Sequence, residues 1–214
     1  MNFAEYNVKD ANLEEVLLAL KSLDTIEAVA LGGSRSTGAS DENSDYDIYV
    51  YCAEIPTAET RENLLGKYCS IAEFGNHYWE SEDNTVMNNG ISVDIIYREV
   101  DRFGRYIDTV IKGGKAFNGY TTAFWHNIKN SKVLFDKTGT FTKFRDMAQI
   151  DFPENLRSAI IKNNRNLLNG KLPSYDRQIK KAQERGDIVS VNHRITAFLE
   201  SYFDVIFALN RQTH

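Results

Sequence analysis

The spacing of apolar residues changes near residues 113–119, and this change limits the folds that the chain can adopt. Before it, short apolar runs that suit strands alternate with helical patterns; after it, every long segment has helical spacing. Strands mixed with helices, followed by helices alone, favour a sheet-containing domain and then a bundle. We predict an α+β fold, with a small mixed-sheet domain at residues 1–115 and an all-helical bundle domain at residues 116–214.

The charge is divided between the same two parts of the chain. Residues 1–110 contain 8 Lys and Arg against 21 Asp and Glu, a net charge of −13. Residues 111–214 contain 17 against 9, a net charge of +8, although the whole chain carries only −5. This asymmetry indicates two parts with different ligands, and we expect a cleft near their junction.

The composition excludes several classes of protein. No apolar run reaches the roughly 18 residues that a membrane span needs, so we expect no membrane association. The first residues lack the basic and apolar regions of a secretion signal, which favours a cytoplasmic protein. Cys52 and Cys69 have no metal-binding or redox spacing, and the four His are scattered, so a zinc site is not expected.

Secondary structure can be assigned along most of the first part. Asn12–Leu23 has the spacing of an amphipathic helix, with Asp10 or Asn12 as its cap. Helical patterns recur in the second part and include Pro153–Asn169 and Ile188–Leu209. The predicted strands, the two weakest last, are residues 26–31, 45–51, 91–98, 77–80 and 85–87.

Two acidic residues mark the second predicted strand. Asp45 and Asp47 are two positions apart, so their side chains lie on the same strand face, about 7 Å apart along the strand. Carboxylates so placed repel each other, and a cation between them would relieve the repulsion. Carboxylate oxygens suit Mg²⁺, which commonly binds together with phosphates.

A glycine turn precedes this strand. Gly33 and Ser34 follow the first strand, where glycine lets the backbone approach a ligand closely. Free backbone N–H groups and the Ser34 hydroxyl are suited to phosphate oxygens. The segment is neither a Walker A loop nor a dinucleotide-binding fingerprint, since it lacks the glycines and the lysine of those motifs.

A third carboxylate lies within the apolar strand at residues 91–98. A charged group such as Asp94 is costly among apolar neighbours unless it is paired or binds a metal. If this strand lies beside that of Asp45 and Asp47, the three acids converge. This is an arrangement suited to two-metal phosphoryl transfer.

Gly33-Ser34, ten intervening residues, Asp45-Tyr46-Asp47 and a later strand with Asp94 resemble the nucleotidyltransferase superfamily of DNA polymerase beta. The resemblance covers about residues 12–98. It implies a nucleotidyltransferase domain in which Asp45, Asp47 and Asp94 are the catalytic acids and the ligands of two Mg²⁺ ions, Asp94 alternatively being the base for an acceptor hydroxyl. It also implies a nucleotide-binding set consisting of Gly33, Ser34, Arg35 and Ser44.

The size and the helical second part look most like the aminoglycoside adenylyltransferases and their bacterial relatives. The resemblance therefore implies transfer of a nucleoside monophosphate, AMP from ATP in the first place, to a hydroxyl of a small molecule, with release of pyrophosphate. Two alternatives stay open. One is the same transfer to a protein or RNA, as in antitoxin-type or tRNA-modifying relatives, and the other is nucleotide binding without catalysis.

The helical part offers further candidates. Lys162 and Arg165, with Asn163 and Asn164, are candidate ligand contacts or else solvated surface. The last predicted helix, Ile188–Leu209, is the most apolar in the chain and would need partners on several faces. We expect that a second subunit covers it, giving a homodimer, or that the domain is truncated and a further helix is missing.

Overall fold

The computed structural model describes residues 10–38, 40, 41, 44–170 and 172–214. These residues form two compact units. The first contains the described residues up to Gly104 together with Asn127–Met147, and the second contains Arg105–His126 and Ala148–His214. The predicted boundary between residues 115 and 116 falls inside residues 105–126, which belong to the second unit.

The first unit contains a six-stranded mixed sheet. Its strands lie in the order β3-β4-β5-β2-β1-β6. β2 and β5 run parallel, and the other neighbouring pairs are antiparallel. The strands are β1 (Ile26–Leu31), β2 (Tyr46–Cys52), β3 (Cys69–Asn76), β4 (Ser81–Met87), β5 (Ser92–Glu99) and β6 (Lys132–Asp136).

Helices account for most of the remaining ordered structure, and a short 3₁₀ helix spans Gly66–Tyr68. Asp10 caps the first helix, since its side chain accepts hydrogen bonds from the N–H groups of Asn12 and Leu13. The α-helices are α1 (Ala11–Ser22), α2 (Gly33–Thr37), α3 (Ala58–Leu65), α4 (Val100–Ile111), α5 (Ala123–Asn130), α6 (Thr140–Ala148), α7 (Glu154–Asn169), α8 (Tyr175–Glu184) and α9 (Ile188–Leu209).

One face of the sheet is closed by an apolar core. The α1 side chains that are buried pack with alternate residues of β1, β2 and β5, which face the same way along each strand. The buried pair of Arg61 and Asp83, 3.0 Å apart, also lies on this face, where Arg61 sits over the Tyr97 ring. Asp47 and Asp94 lie on the opposite face of the sheet, away from this core.

The opposite face is only partly covered. Tyr51 of β2 contacts the rings of Phe103 and Phe141 at centroid distances of 5.4 and 5.2 Å. Beside it, Arg98 is buried and donates hydrogen bonds of 2.8 and 2.7 Å to the Glu80 carboxylate. This cover lies at the carboxyl ends of β2 and β5, whereas the residues at the beginning of both strands are only half-buried or exposed on this face.

Two parts of the sheet differ from the sequence-based prediction. β6 is absent from the prediction, because its short apolar core of Val133, Leu134 and Phe135 becomes a strand through pairing with β1. The strand predicted at residues 77–80 is wrong, since these residues connect β3 to β4. β3 and β4 carry many polar residues and therefore give a weak strand pattern.

The described residues of the second unit form helices and no strand. At its centre, the buried Asp204 carboxylate accepts hydrogen bonds from the Thr121 hydroxyl at 2.7 Å and from the Asn164 amide at 3.0 Å. Asn164 also accepts the Gly119 N–H at 3.1 Å, so this network fixes residues 119–121 to α7 and α9. Within the described ranges, no helix has the length and apolarity to cross a membrane.

Candidate functional site

The parallel pairing of β2 and β5 brings two of the predicted acidic residues together. Asp47 and Asp94 are register partners on neighbouring strands, so their side chains lie side by side on the partly open face of the sheet. The predicted adjacency of these two strands is confirmed. Asp45 is exposed and directly precedes β2. We refer to Asp45, Asp47 and Asp94 as the carboxylate cluster.

The cluster is electrostatically strained. Burial, followed by the charges of Asp45 and Asp94, raises the pKa of Asp47 to about 6. In the part of the chain that the structure describes, none of the three carboxylates forms an ion pair with a Lys or Arg. The repulsion among them is therefore not relieved by a neighbouring basic side chain.

The glycine turn lies against this cluster. The Gly32 N–H donates a 2.8 Å hydrogen bond to the Asp47 carbonyl, which fixes the turn beside β2. Gly33 has a φ of +56°, and a Cβ added there would lie 1.7 Å from Asp47 Oδ2. Only glycine fits, because any side chain would displace the carboxylate. Ser34 follows in the first turn of α2, next to the close contact.

Arg35 and Ser44 organise the loop that leads to Asp45. The Arg35 guanidinium donates to the carbonyls of Ser44 and Asp45, at 2.9 and 3.0 Å from Nε, and lies 4.1 Å from the centroid of the Tyr46 ring. The Ser44 hydroxyl donates to the Asp41 carboxylate at 2.9 Å. In this arrangement, Arg35 holds the backbone at Ser44 and Asp45, and the Ser44 side chain is joined to Asp41.

Two amides missed in the sequence also reach the cluster. Asn84 of β4 is the register partner of Asp94, and its Nδ2 donates a 2.9 Å hydrogen bond to Asp94 Oδ1. Asn76 of β3 in turn donates from Nδ2 to Asn84 Oδ1 at 2.7 Å. The available signal was the polar residues at the alternate positions 82 and 84. Without the order of the strands in the sheet, this signal could not show which residues they would contact.

The donor set has the chemistry of a magnesium site. Among the described residues, no group of three His, Cys, Asp or Glu side chains is close enough to hold a metal as arranged. Mg²⁺, however, is commonly bound by one or two carboxylates together with phosphate oxygens and water. The carboxylates of Asp47 and Asp94 have no basic partner among the described residues, and burial, followed by the charges of Asp45 and Asp94, raises the pKa of Asp47. Both carboxylates could hold such an ion together with phosphate oxygens.

The candidates in the helical part have a different character. Asn164 is fully buried and bound to protein groups, so it is neither of its two candidate types, a ligand contact or solvated surface. Lys162 and Arg165 are exposed and line a surface pocket of about 540 Å³ on α7, together with Ser158, Ile161, Asn166, Asn169 and Gly170. Nothing in this pocket resembles the carboxylate cluster.

The comparison with protein families gives two matches. Residues 13–117 match the model of a nucleotidyltransferase domain. Residues 122–214 match the model of a domain of unknown function, DUF4037. The expected mixed-sheet nucleotidyltransferase domain followed by a helical region is confirmed. No curated protein matches the sequence.

The comparison with solved structures gives matches that include the following three. A toxin–antitoxin with AMP-PNP is 15% identical, with 72% of this chain and 94% of that chain covered and a TM-score of 0.39. Spectinomycin adenyltransferase AAD(9) from Enterococcus faecialis is 14% identical, with 94% and 97% covered and a TM-score of 0.41. A nucleotidyltransferase-like protein from Exiguobacterium sibiricum is 9% identical, with 92% and 56% covered and a TM-score of 0.42. Likenesses this low carry no argument about substrate.

The first prediction concerns the contact between Gly33 and Asp47. Gly38 also has a positive φ, of +80°, but an added Cβ would meet nothing within 4 Å, so Gly38→Ala isolates the backbone strain. We expect Gly38→Ala to lower the free energy of unfolding by roughly 1 kcal/mol, and Gly33→Ala by about 2–4 kcal/mol. Urea unfolding measures both. In an Asp47→Ala background the extra loss should shrink, and equal losses for the two glycines would contradict the proposed steric conflict.

The second prediction concerns the pH dependence of stability. Because the pKa of Asp47 is raised to about 6, the folded state holds this proton more tightly than the unfolded chain. The resulting stabilisation is present below about pH 4 and is lost as the pH rises through about 6. Asp47→Asn should therefore be more stable than the native chain at pH 7.5, by about 1 kcal/mol at this half-buried position.

The difference between Asp47→Asn and the native chain should disappear at pH 4. Urea unfolding in the presence of a metal chelator, at several pH values, measures it. Asp24→Asn, at an exposed position on the same unit, is the control and should show no comparable gain. An Asp47→Asn variant that is less stable than the native chain at pH 7.5 would contradict the electrostatic account.

Proposed function

Because residues 13–117 match the model of a nucleotidyltransferase domain, we propose that the chain transfers a nucleoside monophosphate to a hydroxyl of a small molecule. The proposed donor is ATP, which gives AMP to the acceptor and releases pyrophosphate. The observation that carries the proposal is the register of Asp47 with Asp94 beside the Gly33 backbone. This arrangement places two carboxylates that can bind a cation beside a backbone segment whose N–H groups can bind a phosphate.

Asp45, Asp47 and Asp94 would hold the Mg²⁺ ions. When bound, two such ions supply charge neutralisation at the α-phosphate and a lower pKa for the attacking hydroxyl. Asp45 and Asp47, from the same strand end, hold the cation side of the nucleotide. The Gly33 backbone lies against Asp47, and Ser34 follows it in α2, where both would bind the triphosphate.

Asp94 acts on the acceptor. One of its carboxylate oxygens accepts the proton of the acceptor hydroxyl while the hydroxyl oxygen forms a bond to the α-phosphorus. The bond between the α-phosphorus and its bridging oxygen to the β-phosphate breaks, and pyrophosphate leaves. Arg35 and Ser44 contribute indirectly, since their hydrogen bonds hold the loop that places Asp45.

The charge of the sheet surface favours a cationic acceptor. Glu82 lies on the same face of the sheet as Asp94. Burial, followed by the charge of Asp94, raises the pKa of Glu82. An acidic surface attracts a small polycation, such as an aminoglycoside-like molecule, and repels an RNA backbone. ATP as the donor and the unpaired thiols of Cys52 and Cys69 fit the cytoplasm.

The third prediction tests the reaction. Asp47→Asn and Asp94→Asn should abolish turnover while far-ultraviolet circular dichroism stays native, because each removes a carboxylate of the cluster. Asp101→Asn, an exposed residue of α4, is the control and should retain activity. Release of pyrophosphate from ATP and Mg²⁺, measured with a panel of acceptors, is the readout. Normal turnover by Asp47→Asn would disprove the metal assignment.

The same assay separates the alternative functions. Transfer of labelled AMP to aminoglycosides or other small hydroxyl compounds supports the proposal. Labelling of a protein or RNA instead would show that the chemistry is right and the acceptor wrong. ATP binding without pyrophosphate release under all conditions would make the domain a nucleotide-binding module.

We also propose that α9 pairs with α9 of a second copy. Apolar side chains that are 40–78% exposed recur along this helix with heptad spacing, and Asn192 falls in the same stripe. In a dimer, the same apolar stripe of both copies would form the interface, and the stripe contains no charge that would oppose this contact. A single Asn in an apolar seam is suited to fixing the register of paired helices. The exposed apolar residues of the stripe are Ile188, Ile195, Leu199, Tyr202 and Leu209.

The fourth prediction is that the chain is a dimer and that Leu199→Glu makes it a monomer. A charge at the centre of the seam would be buried against its own copy, so sedimentation equilibrium should show the loss of the dimer. Gln183→Glu, the same charge on the exposed surface of α8, should leave the dimer intact. A native chain that stays monomeric at 100 µM would contradict the proposal.

A further inference from the structure

Asp94 is held by a chain of two side-chain amides from the neighbouring strands. Asn84 donates to Asp94 at 2.9 Å, and Asn76 donates to Asn84 at 2.7 Å. We call Asn76 and Asn84 the amide pair. Among the described residues, Asn84 is the only side chain that donates a hydrogen bond to the Asp94 carboxylate. The orientation of Asp94 therefore depends on this one contact.

The amide pair has a defined direction. A carboxylate without its proton only accepts hydrogen bonds, so Asp94 requires the NH₂ end of Asn84. Asn76 meets the other end of Asn84, because its Nδ2 donates to Asn84 Oδ1. Glu73 reaches the same Asn76 Nδ2 at 3.4 Å, which favours this orientation of the second amide. Without Asn76, the Asn84 amide could turn and present its oxygen to Asp94.

We propose that Asn84 and Asn76 are positioning residues for Asp94, an inference that rests on the proposed function. Asn84 engages Asp94 Oδ1 and leaves the second carboxylate oxygen for the cation and the acceptor hydroxyl. It also counteracts the repulsion from Asp47, since a donor at one oxygen stabilises the ionised carboxylate beside a like charge. Asn76 acts through Asn84, by fixing which end of that amide faces Asp94.

The strands do not require these side chains for their pairing. β4 and β5 are joined by backbone pairing from Ser81 to Val86, and Asn84 is only half-buried. A half-buried side-chain amide can form its hydrogen bonds with water, so the stability of the strand does not require its contact with Asp94. Partners of metal ligands commonly change metal affinity or activity by about 10–100-fold when they are removed. The amide pair occupies such a place beside Asp94.

The experiment uses Asn84→Leu, Asn76→Leu and the double variant in the full chain. Asn88→Leu is the matched control, because Asn88 is exposed in the turn between β4 and β5 and its side chain, among the described residues, bonds only to the Lys67 carbonyl. Four quantities are measured: kcat and KM for ATP in the transfer assay, the affinity for Mn²⁺ by isothermal titration calorimetry without nucleotide, and the unfolding temperature.

We expect Asn84→Leu to lower kcat and Mn²⁺ affinity by about 10–100-fold each, with KM for ATP changed less than about threefold. Asn76→Leu should change the same quantities in the same direction but less. The double variant should be no worse than Asn84→Leu, because Asn76 acts through Asn84. Asn88→Leu should leave kcat and Mn²⁺ affinity unchanged. If Asn84→Leu fails to fold, Asn76→Leu alone carries the test on kcat and Mn²⁺ affinity.

The outcomes separate this inference from the proposed function. If Asp94→Asn abolishes transfer but Asn84→Leu and Asn76→Leu retain native kcat and Mn²⁺ affinity, the amide pair has no positioning role and the proposed function stands. Additive losses in the double variant would also overturn the relay, since they would mean that the amides act independently. If Asp94→Asn transfers AMP normally, the role of Asp94 fails and this inference fails with it. If the native chain transfers AMP to no acceptor, the proposed function fails.

Discussion

The parallel pairing of β2 with β5 forces Asp47 and Asp94 to lie side by side, and the rest of the first unit accommodates this repulsion. Two carboxylates in neighbouring register positions destabilise a sheet unless something else holds the strands. The α1 core, on the other face, supplies that hold by burying alternate residues of the same strands. The backbone and the core therefore keep two like charges together. Burial, followed by the charges of Asp45 and Asp94, raises the pKa of Asp47 to about 6.

The two ends of the partly covered sheet face differ in burial, and this difference determines where the candidate site lies. At the carboxyl ends of β2 and β5, Tyr51 and Arg98 are buried beneath aromatic rings. Arg98 is neutralised there by Glu80 and touches the Tyr51 hydroxyl at 3.3 Å. At the other end, Gly33 has no side chain, which lets its backbone lie against the Asp47 carboxylate. One strand thus passes from packed aromatic contacts to half-buried carboxylates within five residues.

The sequence predicted the parts of the site that are local and missed the parts that depend on sheet order. Gly33, Asp45 and Asp47 follow one another closely, so their meeting depends on one turn and one strand. Asp94 was recognisable because a charged side chain within an apolar strand is costly unless it is paired or binds a metal. The hairpin of β3 and β4 was missed because polar residues interrupt its apolar alternation. Those same polar residues include the amide pair, so the features that serve the site concealed the strands.

Burial distinguishes the amides that stabilise this protein from those that serve its site. Asn164 is fully buried, and its two amide atoms are occupied by Gly119, Asp204 and other protein groups. Its donors satisfy Asp204 inside the second unit, where an unpaired carboxylate would be costly. Asn84 also donates to a carboxylate, but both groups are half-buried, and Asp94 keeps an oxygen free of hydrogen bonds from described residues. The same pairing of amide and carboxylate closes a network in one unit and leaves an acceptor for chemistry in the other.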